Sequence, residues 1–122
     1  MSVKSKAVEE AKNSWVREIR SVRQSYCLTR PEFASLLGRS DRTLAKWESG
    51  EREPGRDDRR RYEELRRLHE GLGTIMRVPA IRPWLEKANS AFGGQVPLDL
   101  IRNGKIDLIW QMIFQLQSSP SL

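Results

Sequence analysis

One cysteine and one histidine are all that this chain of 122 residues offers for thiolate or imidazole chemistry. A lone Cys27 excludes an internal disulfide and a thiolate metal cluster. With His69 as the sole imidazole, zinc sites built from His and Cys are excluded, and a Ser–His–Asp or Cys–His enzyme would have to rest on His69. His69 lies in RRLHEGL, a charged helical stretch where a surface position is the simpler reading. No apolar run approaches the roughly 18 residues that a membrane-spanning helix needs. Met1 to Asn13 is polar, without the apolar core of a signal peptide, so a cytoplasmic protein with a reduced Cys27 is expected. Glycine-rich phosphate loops and metal-ligand spacings are missing, so no enzyme, no metal site and no cofactor is expected. Strand-like alternation and internal repeats are missing too, which leaves an all-α fold.

What the chain has is charge and helix punctuation. It is 31% charged and 38% hydrophobic, with a net charge of +6 and a pI near 10. A basic balance favours a polyanionic partner, and nucleic acid is the commonest one. The stretch Leu28 to Pro54 gives that bias a shape. Thr29 can cap a first short helix, with Pro31 suited to the first turn and Glu32 placed to complete a capping box. Phe33, Ala34, Leu36 and Leu37 share one face, and Gly38 stops the helix. Ser40 caps a second helix, Leu44 and Trp47 form its apolar side, and Gly50 ends it. Asp41, Arg42, Ala45 and Lys46 face outward between those apolar residues. Two short capped helices joined at a glycine, the second with an exposed polar face, form a helix-turn-helix.

Around this motif the chain reads as further helices. From Lys6, the residues Val8, Ala11, Trp15, Ile19, Val22 and Tyr26 make one apolar stripe. Val8, Ala11 and Trp15, at the start of it, are a candidate surface for a second subunit or for the C-terminal segment. After Pro54-Gly55, a helix carries Tyr62, Leu65 and Leu68 or Leu72 on its apolar side, with Gly71 and Gly73 closing it. Arg59, Arg60 and Arg61 on that helix form either a phosphate-contacting patch or a solvated face paired with Glu63 and Glu64. Charge then thins out. Pro79 and Pro83 are expected to break the next region into a short helix to about Val78 and another from Pro79 to Lys87. After the loop NSAFGGQ, Pro97 opens a short helix that ends before Gly104, and Lys105 to Gln117 form the last helix.

The segment IRSVRQSYCLTRPEFASLLGRSDRTLAKWESGEREP resembles the Xre family, the DNA-binding fold of phage repressors and Cro proteins. The match covers roughly residues 15 to 70. The resemblance implies a helical bundle in which Asp41, Arg42 and Lys46 meet base edges. Arg42 and Lys46 can donate to guanine, and Asp41 can accept from cytosine N4. Asp41 has two other readings, as a helix cap and as a partner of Arg42. Arg30 matches a phosphate-contacting position, Ser40 and Thr43 can add hydroxyl contacts, and Arg52 lies in a loop that meets the backbone in relatives. Arg23 and Glu48 match a structural salt bridge.

The segment PAIRPWLEKANSAFGGQVPLDLIRNGKIDLIWQMI resembles the toxin-binding domain of Xre/MbcA/ParS-type antitoxins. The shared residues are Trp84, Leu85, Asn89, Phe92, Gly93, Gly94, Pro97, Leu98, Leu100, Ile101 and Gly104. In that family the antitoxin neutralises a RES-domain toxin that consumes NAD, and its C-terminal region covers the toxin's active-site cleft. Gln115, Gln117, Ser118, Ser119 and Leu122 are then the candidate toxin-facing residues. A dimerisation module is the competing reading of this half.

The sequence therefore predicts a helix-turn-helix domain over residues 6–73 and a small helical toxin-binding or dimerisation domain over 74–122. The expected function is that of a dimeric, sequence-specific repressor on double-stranded DNA that is also the antitoxin of a RES-type toxin. The alternative is a stand-alone dimeric regulator. Arg42→Ala is expected to weaken binding to a specific duplex by roughly 1–3 kcal/mol and to relax one base position, which gel shifts on single-base operator variants will read.

Overall fold

Apolar residues at three- and four-residue steps, stopped by left-handed glycines, divide this chain into helices joined by short turns. A computed structural model describes residues 3–118, with side chains over 6–118. The helices are α1 (Val3–Ser25), α2 (Arg30–Leu37), α3 (Asp41–Ser49), α4 (Arg56–Leu72), α5 (Val78–Glu86), α6 (Pro97–Arg102) and α7 (Ile106–Ser118). One 3-10 turn covers Ser90–Phe92, and Asn89 and Gln95 form an isolated antiparallel bridge. The all-α expectation holds. None of the described helices is long and apolar enough to cross a membrane.

The chain divides into two compact units between Glu63 and Glu64, inside α4. The sequence reading put the boundary ten residues later, after Gly73. The last turns of α4 belong to the second unit because their apolar positions serve its core. Leu65, Leu68 and Leu72 are fully buried. A Cβ on Gly71 would stand 2.8 Å from the Trp110 ring and 3.4 Å from Ile113. Gly71 is therefore not a helix terminator. It lies within α4, and its missing side chain lets Trp110 of α7 lie against the helix backbone.

In the N-terminal unit, α3 packs on both α1 and α2. Ile19, Val22, Tyr26, Leu28, Phe33, Leu36, Leu44 and Trp47 are buried. Tyr62, in the first half of α4, is buried as well, and its hydroxyl donates to Glu18 Oε2 of α1 at 3.2 Å. Burial pushes the phenol up to about 12, and the charge and hydrogen bond of Glu18 push in the same direction. In the C-terminal unit α5 packs on α6 and α6 on α7, over Ile81, Leu85, Leu100, Ile101, Ile109 and Ile113.

One local expectation fails between α4 and α6. The short helix running to Val78 does not form: Gly73 to Met76 is turn, and Arg77 is the N-cap of α5. The helix expected over Pro79 to Lys87 is found as α5, one residue earlier at each end, with Pro83 inside it. An internal proline loses one backbone hydrogen bond and costs about 3 kcal/mol. Burial of Ile81 and Leu85 on the same helix offsets that cost. The loop NSAFGGQ is also more ordered than its composition implies. The Asn89 side chain accepts from the Ala91 amide at 2.9 Å, and the Asn89 carbonyl accepts from the Gly94 amide at 2.9 Å.

The raised Tyr62 pKa carries a sign. The phenol is neutral in the fold at a pH where an unfolded tyrosine, near pH 10, begins to ionise. Its contribution is therefore intact below about pH 10 and is lost as pH rises through about 12. Tyr62→Phe is expected to be less stable than the parent at neutral pH, with the gap closing across that window. Denaturant midpoints of both proteins against pH will test this.

Candidate nucleic-acid and partner interfaces

The helix-turn-helix is set by local chemistry before tertiary packing acts. Thr29 Oγ1 accepts from the Glu32 amide at 3.3 Å, and Glu32 Oε1 accepts from the Thr29 amide at 2.8 Å, so the capping box of α2 is complete. Ser40 Oγ accepts from the Thr43 amide at 3.1 Å and caps α3. Gly38 and Gly50 close the two helices in the left-handed region, at φ 70° and 77°. At Gly38 freedom of φ is the whole requirement, since a Cβ there would meet nothing, whereas a Cβ on Gly50 would also run into the Lys12 side chain.

The orientation of α3 depends on a charge. Glu48 is buried, with only 5% of its surface exposed. Arg23 of α1 grips it with Nε at 3.0 Å and Nη2 at 2.7 Å, and Arg20 Nε lies 3.8 Å away. Arg23 Nη1 also donates to the Leu28 carbonyl at 3.3 Å. With Leu44, Trp47 and Glu48 turned inward, Asp41, Arg42, Ala45 and Lys46 occupy the other side of α3.

The candidate DNA-facing residues do not behave alike. Arg42 and Arg52 are exposed, Lys46 and Thr43 are half-exposed, and Ser40 is occupied in capping. The Ser40 hydroxyl also donates to Thr43 Oγ1 at 3.0 Å. Asp41 does not pair with Arg42 and is not the cap. Its partner is Arg30, the first residue of α2: Arg30 Nε donates to Oδ1 at 2.6 Å and Nη2 to Oδ2 at 3.2 Å. Hydrogen bonding to Arg30, followed by the Arg30 charge, holds the Asp41 carboxyl below its ordinary value. The same hydrogen bond raises the Arg30 guanidinium. Two residues assigned separately to phosphate and base thus form one ion pair across the turn.

Arg39 is the residue that sequence reasoning missed. It donates to Asp58 Oδ1 at 2.7 Å and lines an open cleft of about 300 Å³ with Thr43, Trp47, Arg52, Glu53, Gly55 and Asp58. Its place in the turn just before the Ser40 cap was the available signal. The run Arg59 to Arg61 divides. Arg59 donates to the Pro54 carbonyl and pairs with Glu53, and Arg61 donates to the Leu36 carbonyl at the end of α2. Arg60 is exposed.

In the C-terminal unit, Gly93 and Gly94 turn the chain at φ 63° and 84°. The turn and α7 form an open groove of about 420 Å³, lined by Ala91, Phe92, Gly93, Gln95, Leu108, Gln111, Met112 and Gln115. Gln115 is thus on the groove, whereas Gln117 donates to Thr74 Oγ1 at 2.8 Å. Ser118 is the exposed last residue of α7, and Ser119 and Leu122 lie outside the described residues. Leu108, Phe114 and Leu116 are exposed, and no residue from Leu108 to Ser118 is charged. Among the described residues no group of three or more His, Cys, Asp or Glu side chains is placed to hold a metal ion.

Residues 77–110 match the family model of the antitoxin Xre/MbcA/ParS C-terminal toxin-binding domain. By that match the segment is similar to the toxin-binding domains of Xre/MbcA/ParS-type antitoxins. The chain is 26% identical over 86 residues to the mycobacterial cidal antitoxin MbcA of Mycobacterium tuberculosis and of Mycobacterium bovis, over 70% of this chain and 76% of the relative. Its fold is similar to that of a chain in the crystal structure of the M. tuberculosis MbcT–MbcA toxin–antitoxin complex. The TM-score is 0.67 at 22% identity, covering 81% of this chain and 89% of that one. The matched segment begins at the N-cap of α5 and runs into the first half of α7, so it includes the Gly93-Gly94 turn and one wall of the groove.

Removing one partner of the Arg23–Glu48 pair leaves a buried charge unanswered. Glu48→Ala is expected to lower stability by roughly 3 kcal/mol, while Glu51→Ala on the exposed turn nearby is expected to cost well under 1 kcal/mol. Urea unfolding of both variants will compare them.

Proposed function

We propose that this protein is the antitoxin of a toxin–antitoxin pair and also a sequence-specific DNA-binding repressor of the operon that encodes both. The observation that carries this reading is the pairing, in one chain, of an antitoxin-type domain over 77–110 with a helix-turn-helix whose second helix turns Arg42 and Lys46 outward. The C-terminal unit supplies the toxin-binding surface. Its groove and the uncharged outer side of α7 suit a protein partner, since interface cores are depleted in charged residues. The partner is a RES-type, NAD-consuming toxin, as the resemblance of this segment to its family implies.

The N-terminal unit supplies the operator contacts. Arg42 and Lys46 meet base edges, while Arg52 and the amide ends of the helices hold phosphates. A single recognition helix reads too few bases for useful specificity, so two copies act together on paired half-sites. Val8, which is 65% exposed, and Ala11 on α1 form a candidate surface for that dimer. The protein acts without catalysis and in the cytoplasm, where DNA and toxin meet.

Co-expression with the neighbouring reading frame will test this. The expected result is relief of growth arrest and NAD loss, with a stable complex on affinity purification. A neighbour that neither depletes NAD nor co-purifies overturns the antitoxin reading. Operator binding without any toxin partner favours the stand-alone regulator instead.

A further inference from the structure

A carboxylate on the base-facing side of a recognition helix approaches a polyanion and is repelled by it unless something answers its charge. Asp41 has such an answer in Arg30, which reaches it from the preceding helix through two hydrogen bonds of 2.6 and 3.2 Å. Both side chains stay substantially exposed, at 46% and 42%, so the pair lies on the surface and is not part of the core. A two-point guanidinium–carboxylate fork fixes direction as well as charge.

The geometry points to Arg30 as a positioning residue that neutralises Asp41 and aims its carboxylate, so that the pair reads cytosine at one operator position. This rests on the DNA-binding reading above. An ionised carboxylate has about four acceptor sites and no donor. Arg30 uses one on each oxygen, which leaves acceptors for a base. In the major groove only cytosine N4 and adenine N6 donate. Adenine sets its N7 acceptor beside that donor and repels an acceptor-only group, so cytosine is preferred. Guanine O6 and N7 and thymine O4 present acceptors to an acceptor and are refused. Of the five N–H groups of a guanidinium, two are engaged on Asp41. The others remain for a phosphate oxygen, so one side chain can hold the backbone and the base-reading carboxylate together.

The test is selection of binding sites from a pool of DNA duplexes with a randomised centre, followed by anisotropy titrations on the selected duplex and its single-base variants. Wild type is expected to prefer cytosine at one position in each half-site by roughly tenfold or more. Asp41→Asn, which offers both a donor and an acceptor, is expected to shift that position to adenine. Arg30→Gln is expected to lose the cytosine preference while Asp41 is still present. Arg30→Lys, with the charge but without the fork, is expected to retain only part of it. The double variant Arg30→Gln/Asp41→Asn is expected to match Asp41→Asn in base preference. Circular dichroism melts will confirm that each variant is folded, as the exposure of the pair predicts. An Arg30→Gln profile identical to wild type overturns the positioning role, and so does an Asp41→Asn profile that keeps cytosine. Wild type that enriches no sequence at all overturns the DNA-binding reading, and the inference falls with it.

Discussion

Glu48 is a charge placed where a helical unit has little water to give it, and such a charge must be met by donors from the protein itself. Arg23 meets it with two nitrogens and uses a third on the Leu28 carbonyl, so one guanidinium joins α1, the α1–α2 turn and α3. A purely apolar contact would permit α3 to roll, because dispersion and hydrophobic burial have little directional preference. A fork of hydrogen bonds does not. The face that α3 turns outward is therefore settled by an inward-facing carboxylate on the opposite side of the same helix. This is a specificity role for a buried ion pair more than a stabilising one.

The two units present different kinds of surface. Around α3 the exposed side chains are ionic, and even the acidic one is answered by an arginine. On α7, after Asp107, the exposed side chains are glutamines, apolar groups and Ser118, with no charge among the described residues. Ionic surface binds through a field that salt screens, while uncharged surface binds through contact and dehydration. The two surfaces therefore respond differently to ionic strength.

The parts of the fold that were legible in the sequence were the local ones. Thr29 with Glu32, Ser40, and the glycines at 38 and 50 act within a few residues of themselves, so their spacing is enough to place α2 and α3. The parts that were not legible are tertiary. Asp41 had a near neighbour in Arg42, but the bond went to Arg30, eleven residues back in the chain, because the turn brings the starts of α2 and α3 together. Gly71 had the look of a stop signal, and only the Trp110 ring against it shows why the residue is small. For the candidate site, spacing named the outward residues of α3. It did not show that one of them, Asp41, is bound to Arg30 of α2, or that Arg39 lines the cleft beside them.

The turn after α1 has one more consequence. Cys27 adopts φ 56°, the left-handed region that Gly38 and Gly50 occupy at the ends of the next two helices, and it is the one non-glycine residue there among those described. A side chain in that region is strained by about 1 kcal/mol or more. The chain's single thiol thus occupies a position where glycine fits the backbone better. Replacing Cys27 with glycine relieves the backbone and gives a thiol-free protein in one step. A cysteine introduced afterwards on α3 or α7 would then carry a dye or spin label at one known place, giving each face its own reporter.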